Sequence, residues 1–222
     1  MLDTNTSHRL GTAPPDVIRS LVSQPSSGSA STDFLSSQAD LDLQMDIVDV
    51  GMRHLFVGGQ VFAVNYTVGA RYARLEQSFD ALFRNNGQEQ VSTNIDFDGG
   101  GIRLGLDAER RACGRPWWLY ARSAASFVAG KFQADYFQGQ SFDPEVVDTR
   151  WEAGRVVPML DLELGGGWVG PGGRMRLSAG YLFSAWFNTV MTQDFIHSVQ
   201  QNNFLDLGDT LTFDGLVARV EG

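Results

Sequence analysis

The strongest constraint on the fold is a pair of long alternating arms between about Arg155 and Asn188, joined by Gly170-Pro171-Gly172-Gly173. Alternate positions are apolar: Pro158, Leu160, Leu162 and Leu164 in the first arm, and Met175, Leu177, Ala179, Tyr181, Phe183 and Ala185 in the second. The intervening positions carry charges of both signs, among them Asp161, Glu163 and Arg176. A period of two over about a dozen residues, with a glycine-rich turn, predicts a β-hairpin whose arms are about twice the common strand length.

Composition excludes several classes of protein. The 222 residues are 43% hydrophobic and 19% charged, which is enough for an ordered domain. The formal charge of -9 argues against nucleic acid as a partner. Cys113 is the single cysteine, so neither a disulfide framework nor a cysteine metal cluster is expected. The sequence has no run of 18 apolar residues and no basic-then-apolar secretory signal, so taken literally it would stay in the cytoplasm.

Seven alternating segments are readable after about residue 40. Residues 1–40, with Pro14-Pro15 and the Ser-rich run 26–32, predict a loop or disordered segment. Two of the seven segments change phase: one slips near Val48, and another at Gly99-Gly100-Gly101. We expect a β-bulge at each slip, or close packing of strands at the glycines.

The connections between these segments alternate in predicted length. Those at 53–60, 108–116 and 169–173 are short, whereas those at 77–93, 135–153 and 189–207 are long. Outer-membrane barrels have short periplasmic turns and long external loops. The sorting therefore predicts an all-β, antiparallel up-and-down transmembrane β-barrel over residues 41–222, with its short turns in the periplasm. In the last external loop, Thr192 is a candidate cap for a short helix.

The alternation also predicts which face meets lipid. A strand in hydrocarbon turns its apolar side chains outward, and an arginine at the lipid midplane would cost about 2–4 kcal/mol. The charged positions are therefore predicted to line the lumen: Arg71, Arg103, Asp107, Arg122, Asp161, Glu163, Arg176 and Arg219. Aromatic residues are predicted to face lipid or its interfaces: Tyr66, Tyr72, Trp118, Trp168, Tyr181, Phe183 and Phe187. A soluble sheet with one wet face predicts the same alternation but explains neither the strand length nor the loop sorting.

The chain also resembles a known family. The run LDLELGGGWVGPGGRMRLSAGYLFSAWFN, continued by DFIHSVQQNNFLDLGDTLTFDGLVAR and preceded by GARYARLEQ and FDGGGIRLGL, is similar to the Legionella-type major outer membrane proteins. Members of that family are described as pore-forming, and many relatives occur in planctomycete bacteria. The resemblance covers roughly residues 40–220 and is specific from Pro158 onward. It implies an outer-membrane barrel in a Gram-negative-type bacterium, and it brings no catalytic residues.

Two departures from the family pattern concern the ends of the chain. Family members tend to end in an aromatic residue that resembles the mark used by the barrel-insertion machinery, whereas this chain ends Val220-Glu221-Gly222. Seven strands are also an odd number, and an open sheet would leave bare edges in lipid. We expect that Met1 is an internal or misassigned start, that the signal peptide and front strands are missing, and that the parent barrel has about 8–10 strands.

The predicted function is a porin-like passive pore for small polar solutes in contact with outer-membrane lipid. Opposed charges could form a selective constriction, or they could neutralise one another in ion-pair ladders that plug the barrel, with Asp161 and Glu163 reaching Arg174 or Arg176. The alternative function is a structural or surface-binding barrel without an open channel, an anchor or adhesin. A soluble β-sandwich lectin is a third interpretation.

Enzyme and metal chemistry have little support in the sequence. His197 lies near Asp194, but at this spacing the pair is more typical of a solvated helix face than of acid-base catalysis. His8 and His54 have no nearby partners for a metal site, and the triple glycine lacks the Lys-Ser/Thr of a phosphate loop. We therefore predict no enzyme activity, no catalytic residue, no metal and no cofactor.

Overall fold

The structure is a computed structural model that describes residues 2–27, 33–85, 87–112, 114–141, 143, 146–170, 175–205 and 207–221. Eight antiparallel strands form one sheet in which sequence neighbours pair. The elements are β1 (Leu2–Gly11), β2 (Ser36–Gly58), β3 (Phe62–Arg84), β4 (Gln88–Arg111), β5 (Trp117–Gln140), β6 (Val147–Val169), β7 (Arg176–Thr189), α1 (Thr192–Gln201) and β8 (Asp209–Glu221). The predicted all-β, up-and-down fold with a short helix in the last connection is confirmed. No described helix is long and apolar enough to cross a membrane.

The sheet curls until strands far apart in sequence meet across its interior. A guanidinium nitrogen of Arg71 on β3 lies 2.7 Å from a carboxylate oxygen of Asp161 on β6. Arg219 on β8 likewise reaches Glu163 on β6, although β7 lies between these strands. The wall is not closed, because the outer edges of β1 and β8 are not paired with each other.

The N-terminal region differs from its prediction as a loop. Leu2–Gly11 forms β1, which pairs with Ser36–Met45 of β2. Its described side chains from Asp3 to Gly11 are all exposed, so neither of its faces packs on a core. Without a buried face there is no reason for hydrophobic alternation, which explains why the pattern did not reveal the strand. Most of the Ser-rich run 26–32 lies outside the described residues.

Two of the predicted long loops are wrong. Residues 77–93 and 135–153 consist mainly of strand, and β3 to β6 each run unbroken through more than twenty positions. The connections that replace these two loops are 85–87 and 141–146, so 190–208 is the one predicted long loop that the structure retains. We call the end of the sheet that carries 12–35, 85–87, 141–146 and 190–208 the cap end. The opposite end, where 59–61, 112–116 and 170–175 join the strands, is the turn end; Cys113 and most of the Gly-Pro-Gly-Gly turn lie outside the described residues.

The strands pass through two zones whose outer surfaces differ. Near the turn end the outward residues are mostly apolar, up to the register row of Val48, Tyr72, Gly100, Ala129 and Val156. In the next outward row, charged residues appear: Asp46, Arg74, Asp98 and Lys131. We name the part below this boundary the membrane zone and the part above it the cap zone. Residues 100–110 of β4 match the roughly 9–11 residues with which a tilted strand spans a bilayer.

The predicted bulges at the two phase slips are wrong. Around Val48 the pairing of β2 with β3 continues without interruption, and the register shift in that pair falls later, between Leu55 and Val57. Around Gly99–Gly101 the pairing of β4 with both neighbours is also continuous. The backbone keeps its phase while the apolar side chains change face. They point inward in the cap zone and outward in the membrane zone, so each slip marks the boundary between water and lipid.

The close packing expected at the triple glycine is present. A Cβ added to Gly101 would lie 1.9 Å from the backbone oxygen of Phe127 on β5, a distance that no side chain can occupy. The neighbouring Gly100 faces outward, and a Cβ there would meet nothing closer than 4.0 Å. Glycine at 101 therefore lets β4 and β5 approach closely at the boundary between the zones.

The hydrophobic core lies inside the cap zone. Phe97, Phe132 and Val157 come from three strands and pack with Phe195 and Val199 of α1. Thr192 is the first residue of α1 rather than its cap; Met191 precedes it without a side-chain cap, and the Thr192 hydroxyl donates instead to Gln77 at 3.1 Å. The helix is therefore held by burial of its apolar face inside the barrel.

Candidate functional site

The inner face of the membrane zone carries the charged residues that the alternation predicted. All eight occupy inward positions, and each makes an ion pair with another inward residue: Arg71, Arg103, Asp107, Arg122, Asp161, Glu163, Arg176 and Arg219. Three inward partners complete the set, namely Asp49, Arg53 and Glu109. These three lie in stretches whose pattern predicts connections or changes phase, so the alternation does not reveal them.

Arg71 is the centre of the first ion-pair cluster. Its side chain is only 4% exposed, and it donates two hydrogen bonds to Asp49 at 2.7 and 2.9 Å. A third nitrogen lies 2.7 Å from Asp161, which also accepts a hydrogen bond from the Ser184 hydroxyl at 2.6 Å. The cluster ties β2, β3, β6 and β7 together across the lumen, and bidentate geometry of this kind is the strong form of an arginine–carboxylate pair.

Glu163 is the centre of the second cluster. Its carboxylate accepts hydrogen bonds from both terminal guanidinium nitrogens of Arg219, one of them at 2.8 Å, and from the Tyr120 hydroxyl at 2.7 Å. Arg122 approaches the same carboxylate at 3.8 Å. Among the described side chains, Asp161 and Glu163 pair with Arg71 and Arg219 rather than with Arg176, because the curvature of the sheet brings β3 and β8 to β6. Arg174 lies outside the described residues.

Six of the seven predicted lipid-facing aromatics point outward: Tyr66, Tyr72, Trp168, Tyr181, Phe183 and Phe187. Trp118 is the exception, and its prediction as a lipid-facing residue is wrong. It is 5% exposed and lies inside the barrel, where its ring packs against Tyr120 at 5.1 Å between ring centroids. The guanidinium of Arg176 lies over the same ring at 4.7 Å, and Gly167 provides the space. Its neighbour Trp117, 61% exposed, is the outward residue.

A small chamber of about 470 Å³ lies among the charged residues of the membrane zone. Its lining includes Asp49, Arg53, Asp107, Arg122 and Glu163. Opposite charges face one another across the space, so the chamber attracts water and small polar molecules without a strong preference for one sign of charge.

The apolar core stands between this chamber and the cap end. Trp186 and Phe132 are 0% exposed inside the barrel, and Met159 lies beside Arg71 at the transition from charged to apolar surroundings. Beyond them, Phe195 of α1 packs near Trp151 and Phe204, with ring centroids 6.3 and 6.1 Å apart. In the described interior, a core of apolar side chains therefore separates the chamber from the cap end.

A buried polar cluster fixes the segment 20–27 over this core. Glu89 and Gln138 are 2% and 0% exposed; Glu89 accepts hydrogen bonds from Ser23 and, at 3.2 Å, from Gln138. Tyr136 donates to the backbone oxygen of Val22 at 2.9 Å. Burial raises the pKa of the Tyr136 hydroxyl, and the nearby Glu89 carboxylate raises it further, so the tyrosine remains a donor.

Asp194 and His197 lie on α1 beside a second cavity. The cavity, of about 510 Å³, is lined largely by apolar side chains such as Leu21, Phe79 and Ile196. His197 is hydrogen-bonded to Gln201 at 2.7 Å, and burial raises the pKa of Asp194. No cluster of three or more potential metal ligands occurs in the part of the chain that the structure describes.

An apolar belt outside, a charged lumen inside and antiparallel strands of membrane-spanning length define a transmembrane β-barrel. The family model described as Legionella pneumophila major outer membrane protein precursor matches residues 2–216, and the chain belongs to this family. It is thus a membrane protein of the outer membrane of a Gram-negative bacterium. Neither a curated protein nor a solved structure matches the chain.

Proposed function

We propose that the protein is a structural or surface-binding outer-membrane barrel whose resting state has no open channel. The observation that carries this proposal is the apolar core inside the cap zone. An aqueous pore needs a continuous polar path, and burying a hydrated polar solute among apolar side chains without hydrogen-bond partners is costly. The projecting cap zone is instead built like a soluble protein, with apolar residues inside and polar ones outside.

The porin-like pore for small polar solutes is the second candidate, and the charged chamber favours it. A chamber lined by arginines and carboxylates is what a selective constriction would require. For solutes to pass, however, α1 and the segment 20–27 would have to leave the interior of the cap zone. The pore function thus requires a gated barrel, in which the core is the closed gate.

Planar-bilayer recording of the refolded protein separates the two candidates. We expect the unmodified protein to give no conductance steps. Phe195→Asp places a charge in the core and is expected to produce steps if α1 is a gate, whereas Gln193→Asp, on the exposed face of the same helix, should not. Regular steps from the unmodified protein would contradict the proposal in favour of a porin. Silence from all three proteins, each checked for folding by circular dichroism, would support a permanently closed barrel.

A further inference from the structure

An apolar groove crosses the outer surface of the membrane zone at the turn end. We call it the rim groove. Its volume is about 1140 Å³, and its floor is formed by Leu119 on β5, Gly166 on β6 and Leu177 on β7. Trp117 and Trp168 stand beside it. Gly166 deepens the groove, because a Cβ at this position would have only ordinary contacts, at 3.5 Å, and the space above it is open.

The charge around the rim groove is of one sign. Its lining contains Arg110, Arg111 and Arg219 and no carboxylate among the described residues. Arg219 is already paired with Glu163 in the lumen. Arg110 and Arg111 are exposed, and neither has an ion-pair partner among the side chains that the structure describes. Two unpaired guanidinium groups next to an apolar channel complement a ligand with an anionic head and an apolar chain.

The position of the groove identifies the source of such a ligand. It lies at the edge of the apolar belt, where tryptophans mark the level of lipid headgroups. Every connection at the turn end is short, whereas the two long ones, 12–35 and 190–208, lie at the cap end. The end without long connections faces the periplasm in outer-membrane barrels. The leaflet on that side consists of glycerophospholipid. We propose that the rim groove is a binding site for an anionic glycerophospholipid, with its phosphate at Arg110 and Arg111 and one acyl chain over Gly166.

This site is independent of whether the barrel conducts. It depends only on the membrane zone and its orientation, whereas the resting closure depends on the cap zone. A conducting barrel could keep the lipid site, and a closed barrel could lack it, so the two proposals fail separately.

Tryptophan quenching by brominated lipids tests the site directly. Trp117, Trp118 and Trp168 line the groove, but the Trp118 side chain is only 5% exposed; of the other two tryptophans, Trp186 is buried and Trp151 lies inside the cap zone. Quenching therefore reports mainly on the groove. The experiment uses bilayers in which either dibromo-phosphatidylglycerol or dibromo-phosphatidylcholine is mixed with unlabelled phosphatidylcholine. We expect the relative affinity of the groove for phosphatidylglycerol to be at least about fivefold higher, because one basic residue near an anionic headgroup changes affinity by about that factor.

Three variants complete the test. Arg110→Gln/Arg111→Gln should abolish the preference for phosphatidylglycerol, and Gly166→Phe should weaken quenching by both lipids because it fills the groove. Arg84→Gln/Arg150→Gln, with the same loss of charge at the cap end, should change neither. Equal quenching by the two lipids, stronger binding of lipid A, or a preference that survives the first double variant would overturn the proposal. Circular dichroism and gel mobility before and after heating confirm that each variant is folded.

Discussion

Arg71 shows how a single residue can hold the lumen together. Its guanidinium is almost completely buried between two carboxylates that come from opposite sides of the barrel. Each charge in this cluster is tolerated only because the others are present. The eight charged positions on the inner face were predictable from the alternation alone. Their partners were not, because pairing depends on barrel curvature, which brings β3 beside β6.

Replacing Arg71 is expected to destabilise the barrel strongly. Arg71→Leu leaves Asp161 without a cation and leaves Asp49 with Arg103 alone, and removing one partner of a buried ion pair costs about 3–5 kcal/mol. Urea-induced unfolding in lipid vesicles, followed by tryptophan fluorescence, measures the loss. Arg150→Leu is the control, because Arg150 is 79% exposed and its ion pairs should contribute about 0–1 kcal/mol.

The cluster interpretation also predicts a partial rescue. Adding Asp161→Asn to Arg71→Leu removes the uncompensated charge and should recover part of the lost stability, whereas Asp49 keeps Arg103 as its partner. If Arg71→Leu is no more destabilising than Arg150→Leu, the ion pairs of the lumen contribute little to the free energy of unfolding.

At the scale of elements, α1 carries a carboxyl group, Asp194, whose pKa makes the stability of the cap zone depend on pH. Burial raises the pKa of Asp194, and the neighbouring Asp209 raises it further. A carboxyl group whose pKa is higher in the folded than in the unfolded state favours folding when it is protonated. The folded state therefore loses stability as the pH rises above the ordinary carboxyl pKa of about 3.9 and Asp194 ionises.

Asp194→Asn should remove this pH-dependent cost. The variant is expected to be more stable than the unmodified protein at pH 7, and the difference should disappear as the pH falls below the ordinary carboxyl range. Urea midpoints across that range provide the measurement, with Asp3→Asn on the exposed β1 as a matched charge change. A constant difference at every pH would show that ionisation of Asp194 is not its cause.

The phase slips show how far the sequence predicts elements. The pattern correctly places strands around Val48 and Gly100, but it cannot distinguish a bulge from a change of surroundings, since both shift apolar residues by one position. Residues 77–93 and 135–153 were assigned to loops for the same reason. Their outward polar residues meet water, and their inward apolar ones meet a core that only the folded barrel creates. The sequence of α1 predicts a short helix, but no local pattern shows that this helix packs inside the cap zone against the core.

For the whole molecule, the two-zone arrangement predicts which outward residues reach water. In a Cys113→Ser background, cysteines at Gln90 and Asn94 of β4 should react with a membrane-impermeant maleimide after reconstitution into liposomes. Cysteines at Ile102 and Leu104 of the same strand and face should stay unreacted until the bilayer is dissolved. Equal labelling at all four positions would contradict a boundary at Gly100.

The boundary between the apolar and the charged outward rows fixes how deeply the barrel sits in the bilayer. Sinking by one row would carry Asp98 and Lys131 into hydrocarbon, and rising by one row would lift Tyr72 and Val156 into water. With strands inclined by 35–45°, the cap end should stand roughly 25–30 Å above the lipid surface. A molecule that binds the cap end is therefore held at a fixed distance from the lipid surface.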